Sequence, residues 1–159
     1  WQCASTWPTD ATSGRGRFRV SPGMNPINPT EIQELVVRAP NWLGDSIMAL
    51  PTLRALRAGV PHGRITLVGP WAELFRDQAV ADQVVSYPRS LLRRLALARS
   101  LRARGPDTAL LLPNSFESAL AAWRWGARYR IGFATDGRSW LLTHPVPPPD
   151  PGTTKWMSI

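Results

Sequence analysis

Short apolar runs alternate with amphipathic patterns along residues 34–146. Five runs rich in Val, Ile and Leu predict buried strands at 35–37, 64–69, 84–87, 107–112 and 130–133. Apolar residues spaced by three and four predict helices over 45–58, 90–104 and 115–125, with a shorter one over 72–78. This alternation predicts an α/β fold, a Rossmann-like parallel sheet with helices on both faces.

Helix-breaking residues refine these elements. Pro51 lies inside the first helical segment and predicts a kink or a first turn offset from the rest. Ser90 predicts the start of the helix 90–104, and the pair Gly105-Pro106 predicts its end. Beyond the fifth strand, Asp136-Gly137 predicts a turn, followed by an extended piece over 141–146.

The two ends of the chain lack this periodicity. Residues 1–33 mix Ser, Thr, Gly, Pro and Asn, which favours an extension with little order, and Met24 is a plausible natural start. The proline-rich stretch 147–151 closes the periodic region. We therefore expect one domain over 34–150, followed by a tail over 151–159.

The charge of the chain is strongly positive. The net charge is +8 and the isoelectric point about 11.3, with 18 Arg residues and a single Lys. Either a codon preference for Arg or attraction to an anionic partner explains this excess. The Arg residues are dispersed and no nucleic-acid-binding motif accompanies them, so we expect no nucleic-acid partner. In the helix 90–104 they favour a solvated face, although attraction to anionic lipid is also consistent.

Cysteine usage and hydropathy bear on location and cofactors. Cys3 is the one cysteine, and no Cys/His cluster has the spacing of a metal site. No apolar run approaches the roughly 20 residues that cross a bilayer, and no secretory signal is present. We expect a cytoplasmic protein without a metal or a cofactor.

Residues that could bind a ligand or take part in a reaction cluster where the predicted strands end. Because ligands of open parallel sheets bind beyond the carboxyl ends of the strands, these residues predict a site. They follow the first strand (Asn41, Trp42, Gly44 and Asp45), the fourth (Asn114 and Ser115) and the fifth (Arg138).

Several of these residues also have a simpler explanation. Asp45 either caps the helix that follows it or accepts a proton from an attacking hydroxyl. Gly44 is expected to allow a tight turn and a close approach to a ligand. Asn114 or Ser115 either caps the next helix or binds sugar hydroxyls. Arg138 is either a solvated surface residue or a bidentate ligand for phosphate or carboxylate.

Three segments resemble glycosyltransferase family 9, the ADP-heptose:lipopolysaccharide heptosyltransferases. The segment 36–56 begins Val36-Val37-Arg38-Ala39-Pro40-Asn41-Trp42-Leu43-Gly44-Asp45 and is similar to the opening of that family. Leu112-Pro113-Asn114-Ser115-Phe116-Glu117-Ser118-Ala119 is similar to a second segment, and 130–143 is similar to a third. The resemblance covers residues 34–146 and is strongest for the heptosyltransferase II branch.

The resemblance implies the N-terminal, acceptor-binding domain of an inverting GT-B enzyme that acts on the lipopolysaccharide inner core. It implies that Asp45 is the general base, and that Asn41, Trp42, Gly44, Asn114, Ser115 and Arg138 form the acceptor site. ADP-heptose would bind mainly to a C-terminal donor domain. That domain has no counterpart in these 159 residues, so we expect little activity from this chain alone. Peripheral association with the inner face of the inner membrane fits such a role.

The alternative is a non-catalytic, Rossmann-like module that binds a nucleotide or a partner protein. The loop after the first strand lacks both the G-x-G-x-x-G fingerprint and the P-loop pattern, so a nicotinamide site is not expected.

Overall fold

A computed structural model describes residues 27–148, and its centre is a parallel sheet of six strands. The strands are β1 (Glu34–Arg38), β2 (Arg64–Gly69), β3 (Gln83–Ser86), β4 (Thr108–Leu111), β5 (Tyr129–Phe133) and β6 (His144–Val146). Their order is β3-β2-β1-β4-β5-β6, and every neighbouring pair is parallel. The order reverses between β1 and β4, where a doubly wound sheet forms its ligand crevice. The predicted fold class is confirmed.

In the described part of the chain, four α-helices cover the sheet: α1 (Leu43–Met48), α2 (Leu50–Gly59), α3 (Leu91–Ala103) and α4 (Phe116–Arg124). The predicted helix 45–58 is two helices that meet at Ala49, as the position of Pro51 suggested. Pro51 lies in the first turn of α2, where its missing N–H leaves no helical hydrogen bond unmade. The predicted helix 72–78 is instead a 3-10 turn over Ala72–Phe75.

The core has one layer on each face of the sheet because side chains alternate along β1. Leu35 and Val37 pack with Leu53 of α2, whereas Val36 packs with Leu101 of α3 and with Trp125, which directly follows α4. Arg38 follows Val36 by two residues and therefore faces the layer of α3 and α4.

Part of the predicted N-terminal extension forms regular structure. Pro29–Glu31 forms a 3-10 turn, and the Asp107 carboxylate accepts hydrogen bonds from the amides of Gln33 and Glu34, both 2.9 Å long. The rest of the predicted extension and the whole predicted tail lie outside the described residues. Among residues 27–148, no helix has both the length and the apolar character needed to span a membrane.

Candidate functional site

A crevice of about 330 Å³ opens where the strand order reverses. We call it the switch-point crevice. One wall comes from the loop after β1 and the start of α1, and the other from the loop after β4. Its lining residues are Pro40, Asn41, Trp42, Asp45, Leu112, Pro113, Asn114 and Ser115. Five of the seven residues predicted from the sequence therefore lie together around one cavity.

Asp45 is the third residue of α1, and its side chain is exposed. The N-cap of α1 is Trp42, and no side chain accepts a hydrogen bond there. Within residues 27–148, the Asp45 carboxylate has neither a hydrogen-bond donor nor an ion-pair partner. The capping interpretation of Asp45 is therefore wrong. The first turn of a helix favours a negative charge. The Asp45 carboxylate lines the crevice and has no partner within residues 27–148.

The loop before α1 is held by the protein itself. The Ser46 side chain is fully buried and donates its hydroxyl proton to the carbonyl oxygen of Trp42 at 2.8 Å. The carbonyl oxygen of Pro40 lies 3.3 Å from the same hydroxyl. These contacts hold the backbone of Pro40 and Trp42, which precede Asp45, in place.

Gly44 does not have the conformation that the sequence suggested. Its φ is not positive, so the turn itself does not require glycine. A β-carbon added to Gly44 would meet no atom within 4 Å, and the residue is exposed. What remains of the prediction is the open space that would allow a ligand to approach.

Asn41 is fixed at two points and keeps its donors free. Its side-chain oxygen accepts a hydrogen bond from Arg38 Nη2 at 2.8 Å, and its carbonyl oxygen accepts one from Trp71 Nε1 at 3.2 Å. The side-chain N–H groups have no acceptor among residues 27–148. The neighbouring Trp42 side chain is 77% exposed on the rim.

The β4 wall is built around Ser115. Ser115 is the N-cap of α4, and its hydroxyl accepts a hydrogen bond from the Ser118 amide at 3.4 Å. The capping interpretation is therefore realised for Ser115 and not for Asn114. The exposed Asn114 side chain has no hydrogen-bond partner within residues 27–148.

Arg138 is fully buried beneath this wall. Its Nη1 donates to the Pro113 carbonyl at 2.7 Å, the Ser115 carbonyl at 2.9 Å and the Ser118 hydroxyl at 2.8 Å. Burial lowers the pKa of Arg138, against the opposing charge of Asp136. The interpretation of Arg138 as a solvated residue is wrong, because it supports the β4 loop from below. Its predicted contact with an acceptor stays a prediction, for which this geometry offers no exposed donor.

A larger crevice of about 1120 Å³ lies beside the first, and we call it the basic crevice. It shares Asn41, Trp42 and Ser115 with the switch-point crevice. Its other lining residues are Arg38, Leu43, Pro70, Trp71, Ser86, Tyr87, Pro88, Arg89, Ser90, Arg93, Arg94 and Glu117. Four arginines and one carboxylate make this cavity positive, which suits an anionic ligand.

The sequence did not reveal the basic crevice. The predicted site omitted the loop after β3, and the arginines of α3 were expected to be a solvated face. Arg93 is indeed exposed, but its position beside the loop brings it to the cavity wall. The available signal was the spacing of Arg89 and Arg93, which are four residues apart at the start of a helix.

A polar cluster of the buried Arg38 and Tyr87 and the partly exposed Glu117 forms the floor of the basic crevice. The Arg38 guanidinium lies 4.1 Å from the centroid of the Tyr87 ring, and the Tyr87 hydroxyl donates to the Glu117 carboxylate. Burial, with the hydrogen bond and charge of Glu117, raises the pKa of Tyr87 to about 12. Burial lowers the pKa of Arg38, whereas Glu117 acts against this shift.

Metal binding finds no support in the described part of the chain. Within residues 27–148, no three His, Cys, Asp or Glu side chains form a group that could hold a metal ion.

The fold is that of a GT-B type glycosyltransferase domain, and comparison with known proteins identifies the family. Residues 94–154 match the family model of glycosyltransferase family 9 (heptosyltransferase). The chain belongs to glycosyltransferase family 9, of which it carries part.

The relatives in this family are specific. The chain is homologous to lipopolysaccharide heptosyltransferase 2 of Escherichia coli, with 31% identity over 116 residues, and to that of Salmonella typhimurium, with 30%. Both alignments cover 69% of this chain and 33% of the relative, so the chain spans about a third of their length.

Solved structures agree with this assignment. The structure of E. coli ADP-heptose lipopolysaccharide heptosyltransferase II matches with a TM-score of 0.60 and 31% identity, covering 69% of this chain and 33% of that one. A family 9 glycosyltransferase from Veillonella parvula matches with a TM-score of 0.57 and 24% identity, covering 64% and 32% of the two chains, and supports the fold.

Proposed function

We propose that this chain supplies the acceptor-binding half of a heptosyltransferase active site, in which Asp45 is the general base. The observation that carries the proposal is the exposed, uncommitted Asp45 carboxylate in the crevice where the strand order reverses. The relatives' printed names, lipopolysaccharide heptosyltransferase 2, supply the reaction class.

Asp45 would act at the start of the transfer. Its carboxylate accepts the proton of an acceptor hydroxyl, and the hydroxyl oxygen forms a bond to the anomeric carbon of the heptose. The bond between that carbon and the diphosphate breaks on the opposite face. ADP leaves with the bonding electrons, and the anomeric configuration inverts.

Acceptor recognition is assigned to both crevices. Asn41 and Asn114 have side-chain donors that are unused within residues 27–148 and suit sugar hydroxyls, and Trp42 offers an exposed ring on which a sugar can pack. Gly44 leaves room for close approach, while Ser115 and Arg138 shape the β4 wall. Arg89, Arg93 and Arg94 of the basic crevice suit the anionic groups of a lipopolysaccharide inner core.

The sugar donor, ADP-heptose, is assigned to another domain. The alignment covers 33% of the E. coli relative, and the rest of that protein leaves room for a separate ADP-heptose domain. No cofactor enters the proposed reaction. A nucleotide-binding module remains the alternative, and it predicts that this chain binds ADP by itself.

The test joins this chain to the donor-binding remainder of the E. coli relative. The chimera should transfer heptose from ADP-heptose to deep-rough lipopolysaccharide. The transfer is measured by the release of ADP and by mass spectrometry of the product. The 159-residue chain alone should bind delipidated deep-rough lipopolysaccharide and not ADP. Binding of ADP without binding of the acceptor would favour the alternative.

We also propose a cytoplasmic location with peripheral attachment to the inner face of the inner membrane. Leu91 and Leu92 are 63% and 78% exposed at the start of α3, and Arg89 and Arg93 flank them. Apolar side chains beside exposed cations suit an anionic lipid surface. The basic crevice opens beside this surface, so an acceptor anchored in lipid would lie within reach.

Replacing Leu91 and Leu92 together by Ser should abolish flotation of the chain with vesicles that contain anionic phospholipid. The loss follows from removing the two apolar contacts, since both side chains lie outside the core. Replacing the exposed Leu74 by Ser serves as the matched control and should not change flotation. Equal flotation of all three proteins would contradict the assigned surface.

A further inference from the structure

Arg38 is an unusual final residue for a central strand. It ends β1 and is 1% exposed, and the other residues of that strand that face the core are Leu and Val. Burying a cation is costly unless it is paired and hydrogen-bonded. No carboxylate accepts a hydrogen bond from Arg38, and its Nε has no acceptor within residues 27–148. An apolar residue would pack here without that cost.

The two hydrogen bonds that Arg38 does make both go to the loop after β1. Nη1 donates to the Ala39 carbonyl at 2.8 Å, and Nη2 donates to the Asn41 side-chain oxygen at 2.8 Å. The Trp71 indole holds the Asn41 carbonyl from the other side at 3.2 Å. Asn41 is therefore clamped at both its side chain and its backbone, with its amide donors left over.

The guanidinium is itself held in place from three other elements. The Tyr87 ring after β3 lies under it at 4.1 Å, Glu117 of α4 holds the Tyr87 hydroxyl, and Arg94 of α3 lies 3.5 Å from Glu117. The aromatic face and the nearby carboxylate compensate the buried charge. The loop that lines both crevices is thus tied to β3, α3 and α4 through one side chain.

We propose that Arg38 is a positioning residue, which sets the orientation of Asn41 and so aligns the switch-point crevice with the basic crevice. It acts through Asn41 and does not touch the acceptor. Its effect on acceptor binding rests on the proposed function, whereas its effect on the loop does not.

The experiment compares Arg38→Met and Arg38→Lys with Arg130→Met in the 159-residue chain. Arg130 is the matched control because it also donates to two carbonyls, those of Leu141 and Ala127, away from both crevices. One readout is the indole N–H resonance of Trp71, identified with a Trp71→Phe variant. The other is the Kd for delipidated deep-rough lipopolysaccharide.

Arg38→Met should move the Trp71 indole resonance and raise the Kd about tenfold, the loss expected for hydrogen bonds from a charged group. Arg38→Lys should restore part of both, since an ammonium can reach one acceptor but not both. Arg130→Met should leave both unchanged. If Arg38→Met fails to fold, Arg38→Lys decides.

An unmoved indole resonance together with a Kd within twofold of wild type would overturn the proposal. A wild-type chain that binds no acceptor would contradict the proposed function instead. In that case the Trp71 indole resonance would still test whether Arg38 positions the loop after β1.

Discussion

Side chains around the two crevices divide by what their polar atoms already do. Arg138 Nη1 and the Ser115 hydroxyl already form hydrogen bonds within the protein, to loop carbonyls and to a helix N-terminus. The side chains of Asp45 and Asn114 form none within residues 27–148, although both are polar groups at the carboxyl edge of the sheet. The first kind builds the walls, and the second kind is left for a ligand.

Gly44→Ala separates a structural from a ligand-binding role. Its φ is ordinary and the added methyl group meets nothing, so the free energy of unfolding should be unchanged or up to about 1 kcal/mol higher. If an acceptor lies against Gly44, the Kd for that acceptor should rise about tenfold in the Gly44→Ala variant, because the added methyl group occupies the space that the acceptor needs. Chemical denaturation and calorimetric titration measure the two quantities.

Gly59→Ala is the control, since Gly59 also has an ordinary φ and open space in a helix. It should leave the Kd unchanged. A Kd within twofold of wild type for Gly44→Ala would place the acceptor elsewhere.

Glu117→Gln should lower the pKa of Tyr87 from about 12 while leaving it above 10, because burial is the largest cause and persists. Tyrosinate absorbance against pH measures it, with Tyr129→Phe removing the other tyrosine. Since the folded pKa is raised, Tyr87 stabilises the fold below pH 10, and that stability is lost between about pH 10 and 12. An unchanged titration would contradict the coupling between Tyr87 and Glu117.

At the scale of elements, two helix N-termini offer a matched comparison. Ser115 caps α4 with its side chain, whereas Ser90 occupies the N-cap of α3 without a side-chain hydrogen bond. Ser115→Ala should therefore lower the free energy of unfolding by about 1 kcal/mol, and Ser90→Ala by less. Denaturant unfolding of the two variants tests this, and equal losses would count against the cap geometry.

Local patterns predicted the elements well where local causes decide them. The β2 run 64–69 matches the observed strand, and Pro51 marked the break between α1 and α2. The helix α3 was predicted at 90–104 from apolar residues spaced by three and four, but only some of those residues are covered: Leu91 is exposed, while Ala98 and Leu101 are buried. Which part of an apolar stripe is covered depends on neighbouring elements, and periodicity does not contain that information.

The candidate site was predictable to the same extent. The end of a strand can be predicted from the local sequence, and for this reason five of the residues named from the sequence do surround one crevice. The basic crevice was missed because Arg89, Arg94 and Glu117 converge only through the packing of α3 against α4. The buried Arg38 and Arg138 were not recognised, because nothing in a local pattern separates a buried arginine from a solvated one.

At the scale of the whole molecule, the doubly wound sheet brings the loops of β1 and β4 together, although about 70 residues separate these strands in the chain. The chain spans about a third of its relatives' length, and in the proposed enzyme a separate donor domain would complete the site. The site is therefore interpreted as one wall of an active-site cleft.

The most direct measurement is the transfer rate of the Asp45→Asn chimera, with Asp77→Asn as the control because it is also an exposed carboxylate but lies outside both crevices. Loss of the proton acceptor should lower kcat by about 10²–10⁴-fold, with the KM for deep-rough lipopolysaccharide nearly unchanged. Asp77→Asn should transfer heptose at the wild-type rate. A kcat near wild type for Asp45→Asn would contradict the assignment of Asp45 as the general base.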